Sequence, residues 1–383
     1  MLATASAAAF PATQAGAAQQ APTNSKVAEL RAQGSGALES GDNQAAEEAF
    51  RRALSFAPNS IEILNNLAIS LVKQGKVADA IPFYRRALAV KPGDATTTRN
   101  LALAYFKLQK YGSAVPLFEA LSRRDPSDFQ AADLAGLSLF GLDRYGEAAN
   151  YLERANRLQP SDLPTLYMLG QAYLRGANYK GVTDVFGRIM AIDPNSAEAH
   201  VMMGTAYDKT FQVQKALEEY QAAERANPDF PSVHSGLGLL YWKGDQVDQA
   251  EAEFREELKR FPADAVSNCL LGQIALRRDD PAAALTLFQA AIAANPNYKE
   301  ALFGAGKAEI KLGEPAKALG PLRKAIQIDP DYAEAHYQLG TALAKLGRTV
   351  EAEKERGISL AIQTKQQADY TKKLTTKSAS SPE

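Results

Sequence analysis

The sequence has little cysteine and almost no net charge, and each shortage excludes a class of protein. Cys269 is the only cysteine among 383 residues, which excludes an intrachain disulfide and a zinc site built from cysteine thiolates. A protein with one thiol can occur in an oxidising or a reducing compartment. The formal net charge of −1 creates no overall field that favours nucleic acid or a membrane surface, so we predict no nucleic-acid partner. No run approaches 18 apolar residues, so we expect no transmembrane segment.

The first 26 residues lack the basic start of a signal peptide, and Lys26 is their only charge. They are rich in alanine, glutamine, threonine and proline. Two interpretations are open for residues 1–26: a disordered segment, or the remnant of an export signal followed by a flexible mature start. The second interpretation implies the bacterial periplasm or export, and the first implies the cytoplasm.

A 34-residue period runs through most of the chain. Prolines recur at this spacing without a slip, and with 19 prolines in 383 residues such regularity indicates an internal repeat. They are Pro58, Pro92, Pro126, Pro160, Pro194, Pro228, Pro262, Pro296 and Pro330. Taking proline as position 32 divides residues 27–366 into ten units without insertion or deletion. The units are 27–60, 61–94, 95–128, 129–162, 163–196, 197–230, 231–264, 265–298, 299–332 and 333–366.

Each unit is predicted to contain two helices. Positions 4, 7, 8 and 11 lie on one face of a helix, and positions 20, 24, 27 and 28 lie on one face of a second helix. Position 8 is glycine in eight units: Gly34, Gly136, Gly170, Gly204, Gly238, Gly272, Gly306 and Gly340. Because glycine inside a helix costs about 1 kcal/mol relative to alanine, we predict that it allows the two helices to approach closely beside the large residue at position 24.

Between the two helices stand Gly41, Gly75, Gly313 and Gly347, where a helix C-terminus favours a left-handed residue. The proline at position 32 cannot continue the second helix, so it ends the unit. Two acidic residues depart from the pattern: Glu257 replaces a usual alanine, and Glu309 replaces a usual aromatic residue. We expect both carboxylates to turn to solvent.

The residues at positions 8, 20, 24 and 32 resemble the tetratricopeptide repeat family over about 340 residues, from Val27 to about Gln363. The resemblance implies an all-α fold, a right-handed superhelical solenoid of about ten 34-residue helix-turn-helix units. First helices would line a concave groove and second helices would form the convex side. Residues 367–383 would form the end of a capping helix and a disordered tail.

The resemblance also implies that positions 2, 5, 6, 9, 12 and 13 of the first helix line the groove. Early units place polar residues there, Arg31, Asn65, Asn66, Arg99 and Asn100. Central units place apolar ones there, Tyr167, Met168, Met202 and Trp242. Asparagine can pair with an extended peptide backbone, and methionine and aromatic side chains suit adaptable apolar contacts. The alternative is that several of these residues pack against neighbouring helices.

Candidates for chemistry are few. His200, His234 and His336 share position 4 of their units, and equivalent positions in successive units lie about 10 Å apart, too far for one metal ion. We interpret the histidines as packing residues and Cys269 as an inert small hydrophobe. The sequence contains no phosphate-binding glycine-rich loop and no Gly-x-Ser-x-Gly motif. We therefore predict no cofactor, no metal site and no enzyme activity.

Position 13 carries a basic residue in eight units: Lys73, Lys107, Arg175, Lys209, Lys243, Arg277, Lys311 and Lys345. One interpretation is a basic ladder that binds acidic peptides. The other is that each cation stabilises the C-terminus of its helix through the helix dipole.

These observations predict a non-catalytic protein–protein interaction scaffold that binds a partner peptide or helix in the concave groove. Two alternatives stay open: a bacterial envelope assembly or structural factor that acts by self-association, and a regulatory subunit of a separately encoded enzyme. Neither the identity of the partner nor the oligomeric state follows from the sequence.

Overall fold

The computed structural model describes residues 15–378, and this part of the chain is helical without any strand. The chain divides into two compact bodies, a first body up to Arg188 and a second body from Ile189. The first body contains α1 (Ala15–Ser40), α2 (Asn43–Phe56), α3 (Ile61–Lys73), α4 (Val77–Val90), α5 (Ala95–Lys107), α6 (Tyr111–Arg124), α7 (Phe129–Phe140), α8 (Tyr145–Leu158) and α9 (Leu163–Arg175). The boundary falls inside α10 (Tyr179–Ile192).

The second body contains α11 (Ala197–Lys209), α12 (Val213–Ala226), α13 (Val233–Lys243), α14 (Val247–Arg260), α15 (Ala265–Arg277), α16 (Pro281–Ala294), α17 (Lys299–Lys311), α18 (Pro315–Ile328), α19 (Ala333–Lys345) and α20 (Thr349–Ser378). Consecutive helices pack against each other from α1 to α9 and from α11 to α20. In the second body the odd-numbered helices also contact one another in a row. The predicted fold class, an all-α solenoid of paired helices, is confirmed.

A short polar side chain starts six of the odd-numbered helices. In each case its oxygen accepts the backbone N–H of the residue three positions further on. These N-caps are Ser60, Asp94, Asp128, Asp162, Ser196 and Asp264. Each stands two residues after a periodic proline, at position 34, and stabilises its helix by about 1 kcal/mol. Proline and cap together separate one helix pair from the next.

The turn inside each pair places position 15 in the left-handed region. Gly41, Gly75, Gly313 and Gly347 have φ between 76° and 83°, which confirms the predicted left-handed caps. Six other units hold a residue with a side chain in the same conformation, with φ between 55° and 59°: Gln109, Asp143, Ala177, Phe211, Asp245 and Asp279. The conformation therefore belongs to the turn and not to glycine, and these six residues bear a steric cost.

Glycine at position 8 lies against the large residue at position 24. A Cβ atom added to Gly34 would lie 2.6 Å from the Phe50 ring, and one added to Gly136 would lie 2.6 Å from Leu152. A Cβ atom on Gly238 would meet the Phe254 ring at 2.6 Å. No side chain fits at such distances, so the prediction that glycine permits the close approach of the paired helices is confirmed.

Both ends of the chain contain more helix than the sequence pattern predicts. α1 begins at Ala15, so the segment predicted to be disordered is helical from there on, and residues 1–14 lie outside the described part. Alanine and glutamine favour this extension, whereas Pro22 within α1 opposes it. α20 runs to Ser378, and residues 379–383 of the predicted tail also lie outside the described part. Within residues 15–378, no helix is long and apolar enough to cross a membrane.

The expectation that Glu257 turns to solvent is wrong. Its side chain is 1% exposed, and its carboxylate accepts the backbone N–H groups of Ser232 at 2.9 Å and Ser235 at 3.1 Å. Ser232 adopts φ 69° and makes no side-chain cap, so Glu257 supplies the acceptor that the start of α13 lacks. Its charge also lies favourably at the positive end of the helix dipole.

The same expectation is wrong for Glu309, which is 7% exposed in α17. Among the described residues, its Oε2 atom is buried without a hydrogen-bond partner. Burial, together with the nearby charge of Glu314, raises the pKa of Glu309, and Lys317 opposes this shift only in part. A glutamate thus occupies position 11, which four other units fill with tyrosine and the remaining five with alanine or leucine.

Candidate functional site

One cavity of the second body lies on the face formed by the first helices of successive pairs. Its volume is about 450 Å³, and it is lined by α13, α15, α16, α17 and the residues around the start of α19. The apolar lining consists of Trp242, Leu276, Phe288, Phe303, Gly304 and Tyr332. The polar lining consists of Gln273, Arg277, Glu300, Lys307, Lys311 and Glu334. We call this space the C-terminal cavity.

Aromatic rings form two sides of the C-terminal cavity. The Arg277 guanidinium carbon lies 5.0 Å from the centroid of the Trp242 ring. The rings of Phe303 and Tyr332 have centroids 5.2 Å apart and are tilted by 44°. The ammonium of Lys299 lies 5.4 Å from the Tyr332 ring centroid and also pairs with Asp329 at 2.6 Å. These contacts hold the rings in place, so the cavity offers preformed apolar surface.

Charged groups of the C-terminal cavity fall into two sets. Arg277 is already paired with Asp245 at 3.1 Å, and Lys311 with Asp279 at 2.6 Å. Within the described residues, no ion pair within 4.0 Å involves Lys307, Glu300 or Glu334. Lys307, Glu300 and Glu334 can therefore interact with a partner without breaking an existing ion pair.

A smaller cavity lies in the first body, between α3 and α5. Its volume is about 330 Å³, and we call it the N-terminal cavity. Lys73, Asn100 and Lys107 provide its polar edge, and its apolar lining includes Ile69, Val72, Tyr84 and Leu103. Burial raises the pKa of Tyr84 to about 12, so its hydroxyl stays neutral. Two ammonium groups beside apolar surface suit a partner that carries a carboxylate.

Two of the nine predicted groove residues are buried. Asn65 is 9% exposed and donates from Nδ2 to the Thr97 hydroxyl at 2.7 Å. Met202 is 1% exposed. Both side chains therefore offer little surface to a ligand. The alternative considered from the sequence, packing against neighbouring helices, applies to both.

Two further predicted residues form ion pairs, Arg31 with the next unit and Arg99 with the last residue of its own unit. Arg31 bonds to Glu62 at 2.8 Å on the exposed surface. Arg99 pairs with Asp128, the N-cap of α7, and lowers the pKa of that carboxyl against the opposing effect of burial. Arg99 therefore contributes to the packing of successive first helices.

The remaining predicted residues are half-exposed: Asn66, Asn100, Tyr167, Met168 and Trp242. Asn100 lines the N-terminal cavity and Trp242 lines the C-terminal cavity. Sequence reasoning missed Glu300, Phe303 and Lys307, although they occupy the groove positions 2, 5 and 9 of their unit. The groove positions of the repeat, applied to the unit 299–332, would have identified all three residues.

The basic residues at position 13 differ in whether they form ion pairs, which bears on whether they bind acidic peptides or stabilise the helix ends. In the second body Lys243 pairs with Asp208 at 2.6 Å, and Arg277 and Lys311 have partners as well. In the first body, no ion pair among the described residues involves Lys73 or Lys107, which edge the N-terminal cavity. Three of the basic residues in the second body are therefore already paired with carboxylates of the chain itself.

Each histidine bonds to a glutamate on the second helix of its own pair. The distance from Nδ1 to the carboxylate is 2.7 Å for His200–Glu219, 2.8 Å for His234–Glu253 and 2.6 Å for His336–Glu355. Glutamate stands at position 23 in these three units and in none of the other seven. The histidines are thus polar links between paired helices and not only packing residues.

Cys269 is buried in the second body, and burial raises the pKa of its thiol to about 11. A thiol that stays protonated at neutral pH is a poor nucleophile. Among the described residues, no group of three or more histidine, cysteine, aspartate or glutamate side chains is arranged to hold a metal ion.

Comparison with protein families gives a consistent result. A family model described as "Tetratricopeptide repeat" matches residues 31–95, 201–265 and 269–333, which together make up half of the chain. A second model with the same description matches residues 322–354. A model described as "Anaphase-promoting complex, cyclosome, subunit 3" matches residues 73–155. No curated protein matches the chain at a significant level.

Several solved structures are similar to part of the chain. One is YrrB, described as a TPR protein with an unusual peptide-binding site, with 22% identity, a TM-score of 0.40, and coverage of 49% of this chain and 97% of that chain. Another is MamA from Desulfovibrio magneticus RS-1, with 24% identity, a TM-score of 0.40, and coverage of 45% of this chain and 98% of that chain.

Proposed function

This chain belongs to the tetratricopeptide repeat family of protein-interaction scaffolds, and on that premise we propose that it binds a segment of a partner protein along the groove face of its first helices. The proposal includes the division of residues 27–366 into ten repeat units and the absence of catalytic activity. The partner segment is an extended peptide or a helix. Its main binding site is the C-terminal cavity.

The observation that carries the proposal is the composition of the C-terminal cavity. About 450 Å³ of space is lined by Trp242, Phe303 and Tyr332 together with charged groups of both signs. Aromatic residues are enriched among those that dominate binding energy at protein interfaces, because they bury a large area in few rotamers. Ring contacts fix their positions before binding, which lowers the entropy cost of association.

The chemistry of the candidate nucleophiles and bases supports a non-catalytic role. Each histidine is engaged by a glutamate between paired helices, and none of the three lines the C-terminal cavity. The thiol of Cys269 is buried and has a raised pKa. The residues that do line the cavity are suited to recognition by shape and charge.

The proposal is tested with a phage-displayed library of random dodecapeptides, panned against the immobilised full chain. Enriched peptides are synthesised and titrated against the wild type, Trp242→Ala and Phe303→Ala. Loss of a central aromatic residue is expected to weaken binding about tenfold or more.

Phe211→Ala is the matched control, because Phe211 is 90% exposed and does not line the cavity. Circular dichroism checks that each variant keeps its helix content. The proposal is rejected if no peptide is enriched, or if enriched peptides bind both cavity variants as tightly as the wild type.

A further inference from the structure

The C-terminal cavity has opposite charges at its two ends. Glu300 is the second residue of α17 and Glu334 is the second residue of α19, so both carboxylates lie at helix starts. Lys307 lies two turns further along α17, and Lys311 ends that helix. Phe303 stands between the acidic and the basic residues.

Helix dipoles account for only part of this arrangement. A carboxylate in the first turn and a cation in the last turn are each stabilised by the dipole. That reason suffices for Glu300, Glu334 and Lys311. It does not suffice for Lys307, which precedes the last turn of α17, is half-exposed and forms no ion pair within the described residues.

The acidic end also affects its neighbours. Burial, followed by the charges of Glu300 and Glu334, raises the pKa of Tyr332. Both carboxylates therefore act on the same part of the cavity wall. The Lys299 ammonium already lies over the Tyr332 ring and pairs with Asp329, so a partner's cation would meet the carboxylates of Glu300 and Glu334 beside it.

We infer, building on the proposed function, that the C-terminal cavity takes a partner segment in which a basic and an acidic residue flank an aromatic or large aliphatic one. The partner's cation lies at Glu300 and Glu334, its apolar side chain lies beside Phe303, and its carboxylate lies at Lys307. The seven-residue step from Glu300 to Lys307 spans about 10 Å of helix. An extended peptide covers that distance in about three to four residues.

Three synthetic peptides test the inference. The mixed peptide is acetyl-Gly-Lys-Ala-Phe-Ala-Glu-Gly-amide, and the two others replace its glutamate by lysine or its lysine by glutamate. Their binding to the full chain is measured by peptide-observed NMR titration at low ionic strength, where screening is weak. The mixed peptide is expected to bind about fivefold more tightly than either of the others, the scale of one partly exposed ion pair.

Charge reversal in the protein should change the preferred peptide. With Lys307→Glu the double-lysine peptide is expected to bind best, and with Glu300→Lys the double-glutamate peptide. The matched controls are Lys354→Glu and Glu353→Lys, two exposed positions of α20 outside the cavity. Both controls should keep the wild-type order.

The possible failures are distinguishable. If the order of the three peptides is the same in the wild type and in both charge-reversal variants, the inferred charge pattern is wrong. If Phe303→Ala still weakens all three peptides in that case, the proposed binding function stands. If no peptide binds, the inference fails and the display experiment decides the proposed function separately.

Discussion

The imidazole Nδ1 of His336 lies 2.6 Å from the carboxylate of Glu355, which joins α19 to α20. The other ring nitrogen lies 3.1 Å from the carbonyl oxygen of Pro330. His336 is 6% exposed and the Glu355 side chain is 21% exposed, so the pair is mostly shielded from water. Equivalent pairs occur in two other units, which makes the link a feature that this chain repeats.

We expect His336→Leu to destabilise the second body by about 1 kcal/mol, because it leaves the Glu355 carboxylate partly buried without its partner. The double variant His336→Leu/Glu355→Leu should recover most of this loss, since leucine occurs at both positions in other units. Urea unfolding of the wild type, both single variants and the double variant gives the coupling energy. Additive effects would show that the two side chains do not stabilise each other.

Ala177→Gly should stabilise the first body by about 0.5–1 kcal/mol. Ala177 has φ 55° at the turn between α9 and α10, a conformation that costs less for glycine than for a residue with a Cβ atom. The matched control is Gly75→Ala at the equivalent turn, which has φ 80° and should destabilise by about 1 kcal/mol. Thermal unfolding measures both changes, and equal signs for the two would contradict the explanation.

Glu309→Gln should stabilise the second body at neutral pH and have less effect in acid. The pKa of Glu309 is raised above its usual 4.5, so the folded state favours the protonated carboxyl. Its contribution to the free energy of unfolding is therefore largest below pH 4.5 and falls as the pH rises through the raised pKa. Glutamine does not titrate, so the advantage of the variant should grow with pH.

The measurement is urea unfolding of wild type and Glu309→Gln from pH 4 to pH 8. Glu314→Gln is a useful comparison, because the charge of Glu314 contributes to the raised pKa of Glu309. It should reduce the pH dependence without removing it. A difference between wild type and Glu309→Gln that is constant over this range would contradict the account.

Glu257→Ala should loosen the start of α13. The change removes the acceptor for the N–H groups of Ser232 and Ser235, and a lost helix cap costs about 1–2 kcal/mol. Hydrogen exchange should become faster in the first turn of α13. The control is Glu256→Ala, which removes exposed ion pairs on the same helix and should have little effect there.

Many of the residues that line the groove are predictable from their positions in the repeat. Phe303 and Lys307 lie at positions that the family resemblance assigns to the groove, and the structure places both in the C-terminal cavity. Asn65 and Met202 lie at groove positions too, yet both are buried. A position in the repeat gives the direction of a side chain, whereas its burial depends on how closely the next unit packs.

The histidine–glutamate pairs were also encoded in the sequence, since histidine at position 4 and glutamate at position 23 occur in the same three units. Their significance was not evident because the positions are 19 residues apart on different helices. Only the pairing of the helices brings them within hydrogen-bond distance.

By itself, the sequence determined the paired helices, their bounds near the periodic prolines and the close approach at the glycines. Those features depend on local chemistry, because proline, N-caps and left-handed turns act within a few residues of themselves. The tertiary structure alone decided that Glu257 caps α13 and that, among the described residues, Glu309 is buried without a hydrogen-bond partner and Lys307 lies beside Phe303 without an ion pair. These outcomes depend on side chains from other helices, and packing brings those side chains together over distances that no local pattern specifies.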